Sequence, residues 1–165
     1  MIRAGIIGGS GYTGGELIRL LINHPKVEID FVYSRTKSGK KISGAHADLL
    51  GTTDLAFTDS INPEVDILFL CLGHGNSKSF LSEYSFSSKT KIVDLSNDFR
   101  LMQDASFGGK DFVYGLPELH KNTIKRAEYI ANPGCFATCI QLALLPLADA
   151  KLLNSEVHIN AVTGS

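Results

Sequence analysis

Ile2-Arg3-Ala4-Gly5-Ile6-Ile7-Gly8-Gly9-Ser10-Gly11-Tyr12-Thr13-Gly14 opens the chain with an apolar run that breaks into glycines. The run Ile2 to Gly8 is short, rich in β-branched residues and ends in glycines, the pattern of a strand buried on both faces of a parallel sheet. From Thr13 onward Leu17, Ile18, Leu20, Leu21 and Ile22 form one wide helical stripe, which His24-Pro25 terminates. Gly9, Gly11 and Gly14 therefore carry G-x-G-x-x-G between a predicted strand and a predicted helix, the context that turns a common spacing into a dinucleotide fingerprint. The first glycine makes the tight turn and the second admits backbone N–H groups to a pyrophosphate. The third lets helix and strand approach closely. Gly9, Ser10, Gly11, Tyr12, Thr13 and Gly14 are thus candidate cofactor-binding residues.

Working outward, Val27 to Tyr33 reads as a second strand, and the polar, glycine-spotted stretch Ser34 to Asp54 as a loop rather than a packed element. Val65 to Leu72 is apolar on both faces, as a central parallel strand must be, and Gly73-His74-Gly75 leads from it into a helix reaching about Tyr84. A strand follows at Lys91 to Leu95. Ser96 to Leu119 reads as irregular, and a loop of that length is usually functional. Glu128 to Ala131 is a short strand, Cys135 to Ala150 a helix and Glu156 to Val162 a further strand. Alternating strands and helices predict an α/β fold, a doubly wound parallel sheet of Rossmann type, with residues 1–150 as the nucleotide-binding domain and 151–165 as the start of another. The last residues, Val162-Thr163-Gly164-Ser165, fall in mid-element by pattern, which predicts a natural terminus farther on.

With 165 residues, 44% of them hydrophobic, the chain can bury a continuous core. Its 16 basic and 17 acidic residues are dispersed and leave a net charge of −1, which argues against a nucleic-acid surface or a polybasic membrane patch and for a small-molecule partner. Cys71, Cys135 and Cys139 form no CxxC pair and no metal-ligand spacing with the five histidines, so free thiols, no metal and a reducing, cytoplasmic location are expected. No cleavable leader and no run long enough to cross a bilayer is read from the sequence.

The end of the second strand chooses between the nicotinamide cofactors, because an acidic residue there binds a ribose 2′-OH and repels a 2′-phosphate. Ser34 and Arg35 occupy that place, with Lys37, Lys40 and Lys41 behind them, and this predicts NADP(H). Gly73 and His74 lie at the carboxyl end of a central strand, where open α/β sheets bind ligands. For His74 a hydrogen bond to backbone is the favoured role and acid–base work the minor one.

Asn132-Pro133-Gly134-Cys135-Phe136-Ala137-Thr138 hands a cysteine to the start of an apolar helix. Unpaired N–H groups of a first helical turn, with the positive end of the helix dipole, favour a thiolate there. Cys135 is accordingly the candidate nucleophile, whereas Cys71, in mid-strand, and Cys139, among Ile140, Leu142 and Leu145, are expected to be core thiols. Asn132 is placed to cap the helix or to orient the site. Ser96 and Arg100, after another strand's carboxyl end, are candidates for meeting a substrate phosphate, with an Asx-type turn as the plain alternative. A short-chain dehydrogenase is disfavoured because Tyr-x-x-x-Lys occurs only at Tyr33 to Lys37, where the second strand ends. A non-catalytic nucleotide sensor would leave Asn132 to Thr138 without a purpose.

Four segments together resemble one family: Gly8 to Gly14, Asp94-Leu95-Ser96-Asn97-Asp98-Phe99-Arg100, Tyr114-Gly115-Leu116-Pro117-Glu118 and Asn132 to Thr138. In order and spacing they are similar to the amino-terminal part of the N-acetyl-γ-glutamyl-phosphate reductases, enzymes of the semialdehyde dehydrogenase type, over essentially the whole chain. The resemblance implies NADPH, a nucleophilic cysteine at Cys135, an N-acyl-glutamyl phosphate substrate in arginine biosynthesis and a homo-oligomer at full length. It also implies a second α+β domain beyond Ser165 bearing a catalytic histidine, so that this chain alone binds NADP(H) with little or no turnover. Gly73-His74-Gly75 departs from the family's more usual Pro-His-Gly. Related reductases of aspartyl or aminoadipyl phosphate remain the neighbouring alternatives, the aspartyl one disfavoured by Tyr114 to Glu118.

Overall fold

A computed structural model describes residues 1–162. Five of the predicted strands form where local pattern placed them: β1 (Ile2–Ile7), β2 (Val27–Tyr33), β4 (Ile67–Leu70), β5 (Lys91–Asp94) and β8 (Tyr129–Ala131). Three short ones join them, β3 (Phe57–Thr58), β6 (Ser106–Phe107) and β7 (Lys110–Tyr114). The eight make one sheet in the order β3-β2-β1-β4-β5-β8-β7-β6, parallel throughout except where β6 turns back on β7. Four helices connect or follow them: α1 (Tyr12–Ile22), α2 (Ser77–Glu83), α3 (Pro117–Ile124) and α4 (Cys135–Asp149). The fold is the expected α/β sheet of Rossmann type, mixed rather than wholly parallel because β6 turns back on β7.

Side chains alternate across a strand, so adjacent residues feed opposite layers. Ile6 and Val32 join Ile18 of α1, Ile42, Leu49 and Phe57 in one core. Ile7, Phe31 and Tyr33 join Leu68, Leu70, Phe80 of α2, Phe99 and Phe112 in the other. Each such side chain, taken fully out of water, contributes about 1.5–3 kcal/mol before the entropy cost of ordering it.

Three expectations need correction here. Ser34 to Asp54 is a packed segment of short 3-10 turns, with Ile42, His46 and Leu49 buried against α1. Its few large apolar residues, Ile42, Leu49 and Leu50, lack the period that betrays an element. Ser96 to Leu119 contains the β6–β7 hairpin, turned by Gly108 and Gly109 at φ 58° and 78°, and the start of α3. Glu156 to Val162 forms no strand: Val157 and Ile159 are about half exposed, and among the described residues no neighbouring strand pairs with the segment. A strand exists only through its ladder partners. The last three residues of the mid-element ending, Thr163 to Ser165, lie outside the described residues.

Strand order reverses at β1, which is flanked by β2 on one side and β4 on the other. That is the switch point where the loops after neighbouring strands separate and open a crevice at their carboxyl ends. The loops after β1, β4, β5 and β8 hold Gly8–Gly11, Gly73–Asn76, Ser96–Arg100 and Asn132–Gly134. All the quoted motifs, Tyr114 to Glu118 at the end of β7 included, therefore meet at one edge of the sheet.

Candidate functional site

The loop after β1 turns at Gly8, whose φ of 78° lies in the left-handed region, one residue before the position read from the fingerprint. Gly14 performs the packing role: a Cβ there would sit 2.5 Å from the Gly9 Cα and 2.8 Å from the Gly8 carbonyl oxygen. Above Gly11, by contrast, a Cβ would meet only the Gly8 oxygen, at 3.6 Å. The loop is thus closed toward the sheet and open above Gly11, as a backbone cradle for a pyrophosphate requires. Tyr12 and Thr13 begin α1 on the exposed side.

A groove of about 350 Å³ runs from Gly8 past Ser34 and Arg35 to Asn76 and Glu83. Ser34 Oγ donates to Ser10 Oγ at 3.3 Å and ties the end of β2 to the glycine loop. The Arg35 guanidinium donates to Tyr33 Oη at 2.8 Å and to Glu83 at 2.9 Å. The Tyr33 hydrogen bond first, then those to Glu83 and Tyr84, hold Arg35 above its ordinary pKa. These residues fit a 2′-phosphate by donor type, although Glu83, which the sequence reading missed, now shares the guanidinium.

A second, wider crevice of about 850 Å³ is lined by Thr13, His74, Arg100, Asn132 and Cys135. It places the start of α1, the turn after β4 and the start of α4 around one space. Cys135 is the first residue of α4, after Gly134 at the N-cap, and is exposed. Thr138 N–H returns to the Gly134 carbonyl at 2.9 Å, which leaves the preceding first-turn N–H groups without intrahelical acceptors. No side chain caps this helix; Asn132 instead donates its amide to the Pro133 carbonyl at 3.1 Å, so the capping role expected of it is not seen. Arg100 reaches under the turn, donating to the Asn132 carbonyl at 2.8 Å and the Leu95 carbonyl at 2.9 Å. A Cβ on Gly134 would meet that guanidinium at 2.9 Å.

Beneath the crevice lies a carboxylate network that the sequence did not disclose. Asp94 and Ser96 are fully buried, and Asp94 accepts hydrogen bonds from Ser77 Oγ at 2.5 Å and Ser96 Oγ at 2.7 Å. Burial pushes Asp94 above the ordinary carboxyl range despite those two donors. Ser96 also accepts from the Asp98 N–H at 3.0 Å, so its hydroxyl is engaged below the surface rather than presented to the crevice. Asp98 spans the gap to α2, accepting N–H groups of Gly75 at 2.6 Å, Ser77 at 2.9 Å and Lys78 at 3.2 Å. Burial raises this carboxyl, but the Gly75, Lys78 and Ser77 amides outweigh it and hold Asp98 below its ordinary pKa. It caps a helix from a different strand's loop, a relation no local motif announces. His74 Nδ1 accepts the Asn97 N–H at 3.1 Å, the backbone role favoured for it.

Cys71 is half-buried, and burial first, with Asp94 second, pushes its thiol up to about 12. Cys139 is exposed rather than buried, contrary to expectation, because α4 has no buried residue and leaves Phe136, Leu142 and Leu147 more than 40% exposed. Gln141 of α4 donates to the Tyr114 hydroxyl at 3.1 Å, which gives the Tyr114 to Glu118 motif a role in seating that helix.

Residues 3–127 match the model of the semialdehyde dehydrogenase NAD-binding domain. Proteins named N-acetyl-γ-glutamyl-phosphate reductase from Flavobacterium johnsoniae and Christiangramia forsetii are 68% and 60% identical to this chain over 165 residues. The alignments take in all of this chain and 51% and 50% of those proteins, so the chain spans about half the length of the curated relatives it matches. The crystal structure of aspartate semialdehyde dehydrogenase with NADP from Candida albicans superimposes with a TM-score of 0.63 at 21% identity, covering 92% of this chain and 48% of that one. At that identity the likeness concerns the fold.

Proposed function

The chain belongs to the semialdehyde dehydrogenase NAD-binding domain family, and from that premise we propose that it is the NADP(H)-binding, nucleophile-bearing part of an N-acyl-γ-glutamyl-phosphate reductase. One observation carries the reading: Cys135 at the start of α4 and Thr13 at the start of α1 line the same crevice as His74, Arg100 and Asn132. The names of the relatives support the substrate class.

In this reading the Cys135 sulfur attacks the γ-acyl carbon, the S–C bond forms, and the C–O bond to phosphate breaks with release of inorganic phosphate. First-turn N–H groups of α4 stabilise the oxyanion that develops at the carbonyl. Arg100 holds the Asn132–Cys135 turn in place and brings positive charge beside the departing phosphate. NADPH, when bound, supplies the hydride that reduces the thioester to the aldehyde level. Ser10, Gly11, Thr13, Ser34, Arg35 and Gly73 would hold the cofactor, and the aldehyde, N-acyl-glutamate 5-semialdehyde, would leave as the S–C bond breaks and its electron pair returns to the Cys135 sulfur as thiolate.

Incubating the protein with an N-acyl-γ-glutamyl phosphate and no NADPH tests this directly. Stoichiometric phosphate release with an acyl group on the Cys135 peptide is expected, together with tighter binding of NADPH than of NADH. Phosphate release undiminished in Cys135→Ser would defeat the proposal.

A further inference from the structure

Two consecutive glycines, Gly14 and Gly15, stand where the fingerprint asks for one. A Cβ on Gly15 would meet no cofactor space; it would strike the ring of His46, 2.5 Å from Cε1 and 2.6 Å from Nδ1. His46 lies in the segment after β2, is 8% exposed, and its Nε2 sits 2.8 Å from the Gly9 carbonyl oxygen. A carbonyl only accepts, so Nε2 carries the proton and donates.

We infer that His46 is a positioning residue for the nucleotide loop, fixing the Gly9–Ser10 peptide so that its N–H faces a bound pyrophosphate. The peptide is planar and trans, so a carbonyl held toward His46 turns the Ser10 N–H the opposite way. Gly9 is buried, whereas Gly11 and Tyr12 beyond it are exposed, and that opposite way is the open side of the loop. An unanchored glycine-rich loop would populate the reverse peptide orientation, in which a carbonyl oxygen confronts the anion.

The histidine is itself held from three sides. Ile42 and Leu49 sink the flanking turns into the core beside Ile18 of α1. Arg19 of α1 grips Asp48, two residues on, through Nε at 2.6 Å and Nη2 at 2.7 Å. The Phe57 ring lies 6.5 Å from the imidazole between centroids. Gly15 is small because the imidazole passes over it to reach Gly9, so a side chain at 15 would sever the contact.

This inference rests on the nucleotide reading of the glycine loop, and two ligands keep the two apart. NADPH carries the pyrophosphate; adenosine 2′-phosphate carries the same adenosine and 2′-phosphate without it. Calorimetric titration of the chain with each should show His46→Ala weakening NADPH about five- to tenfold, the size of one hydrogen bond, with adenosine 2′-phosphate unchanged. His46→Gln, which returns a donor at similar reach, should recover most of the affinity. Gly15→Ala should reproduce the loss with the histidine present. NADPH affinity unchanged in His46→Ala, or both ligands lost in parallel with melting of the fold, overturns the inference. Wild-type chain that binds neither ligand overturns the nucleotide reading, and this one with it.

Discussion

Arg35 and Glu83 face each other across the mouth of the β2 groove, Nη2 to Oε2 at 2.9 Å, on the spot where Ser34 and Arg35 are expected to hold a 2′-phosphate. Both side chains are more than half exposed, so the pair is a weak, screened contact rather than a structural one. Its consequence falls on cofactor choice. A carboxylate beside the guanidinium opposes a 2′-phosphate that seeks the same donors.

Glu83→Gln should therefore tighten NADPH by about twofold to fivefold and leave NADH unaffected, with the gain shrinking in high salt. Paired titrations at two ionic strengths read this out. Equal gains for both cofactors would show that Glu83 does not sense the 2′-phosphate.

Gly11 and Gly14 belong to one motif yet should fail in opposite ways. Gly14→Ala drives a Cβ into the Gly9 backbone at 2.5 Å, which cannot yield cheaply, and should cost about 1–3 kcal/mol of stability. Gly11→Ala meets only the Gly8 oxygen, at an ordinary contact distance of 3.6 Å and an ordinary extended φ of −85°, and should change stability by less than about 0.5 kcal/mol while losing NADPH affinity. Thermal melts and titrations on the same two variants check both halves; a Gly11→Ala chain that binds NADPH normally would contradict the cradle.

Arg19 beside Asp48 holds that carboxyl down to about 2, against an ordinary value near 4. A depressed carboxyl stabilises the fold above its unfolded pKa, and the contribution drains away as pH falls from about 4 to about 2. Asp48→Asn should accordingly melt below the wild type at pH 6 and converge with it near pH 2. A gap between the two Tm curves that persists at pH 2 would assign the effect of Asp48 to something other than its charge.

What could be read in the sequence was what repeats locally. β1, α1, β4 and the start of α4 carry their own periodicity and breakers, and they delivered the glycine loop and Cys135 to one edge. The Ser34 to Asp54 segment hid its packing because Ile42, His46 and Leu49 earn burial from α1 and Phe57, residues distant in sequence. Asp98 capping α2 and Asp94 between two serines are likewise tertiary relations, invisible to spacing. The β6–β7 hairpin did carry a signal, Gly108-Gly109 between two β-forming runs, and was legible in principle. Cys139 misled because an apolar neighbourhood on a helix says nothing about whether anything covers it.

Position on α4 separates the two exposed thiols, since Cys135 opens the helix and Cys139 lies one turn in. The decisive measurement is the rate of iodoacetamide labelling of each cysteine from pH 6 to 9, read by peptide mapping with and without NADPH. Fastest labelling at Cys135 at the acid end, slowed by NADPH, with Cys139 slower and Cys71 nearly inert, is the predicted result. Cys135 and Cys139 reacting alike at every pH, indifferent to NADPH, would contradict a nucleophile at the cofactor crevice.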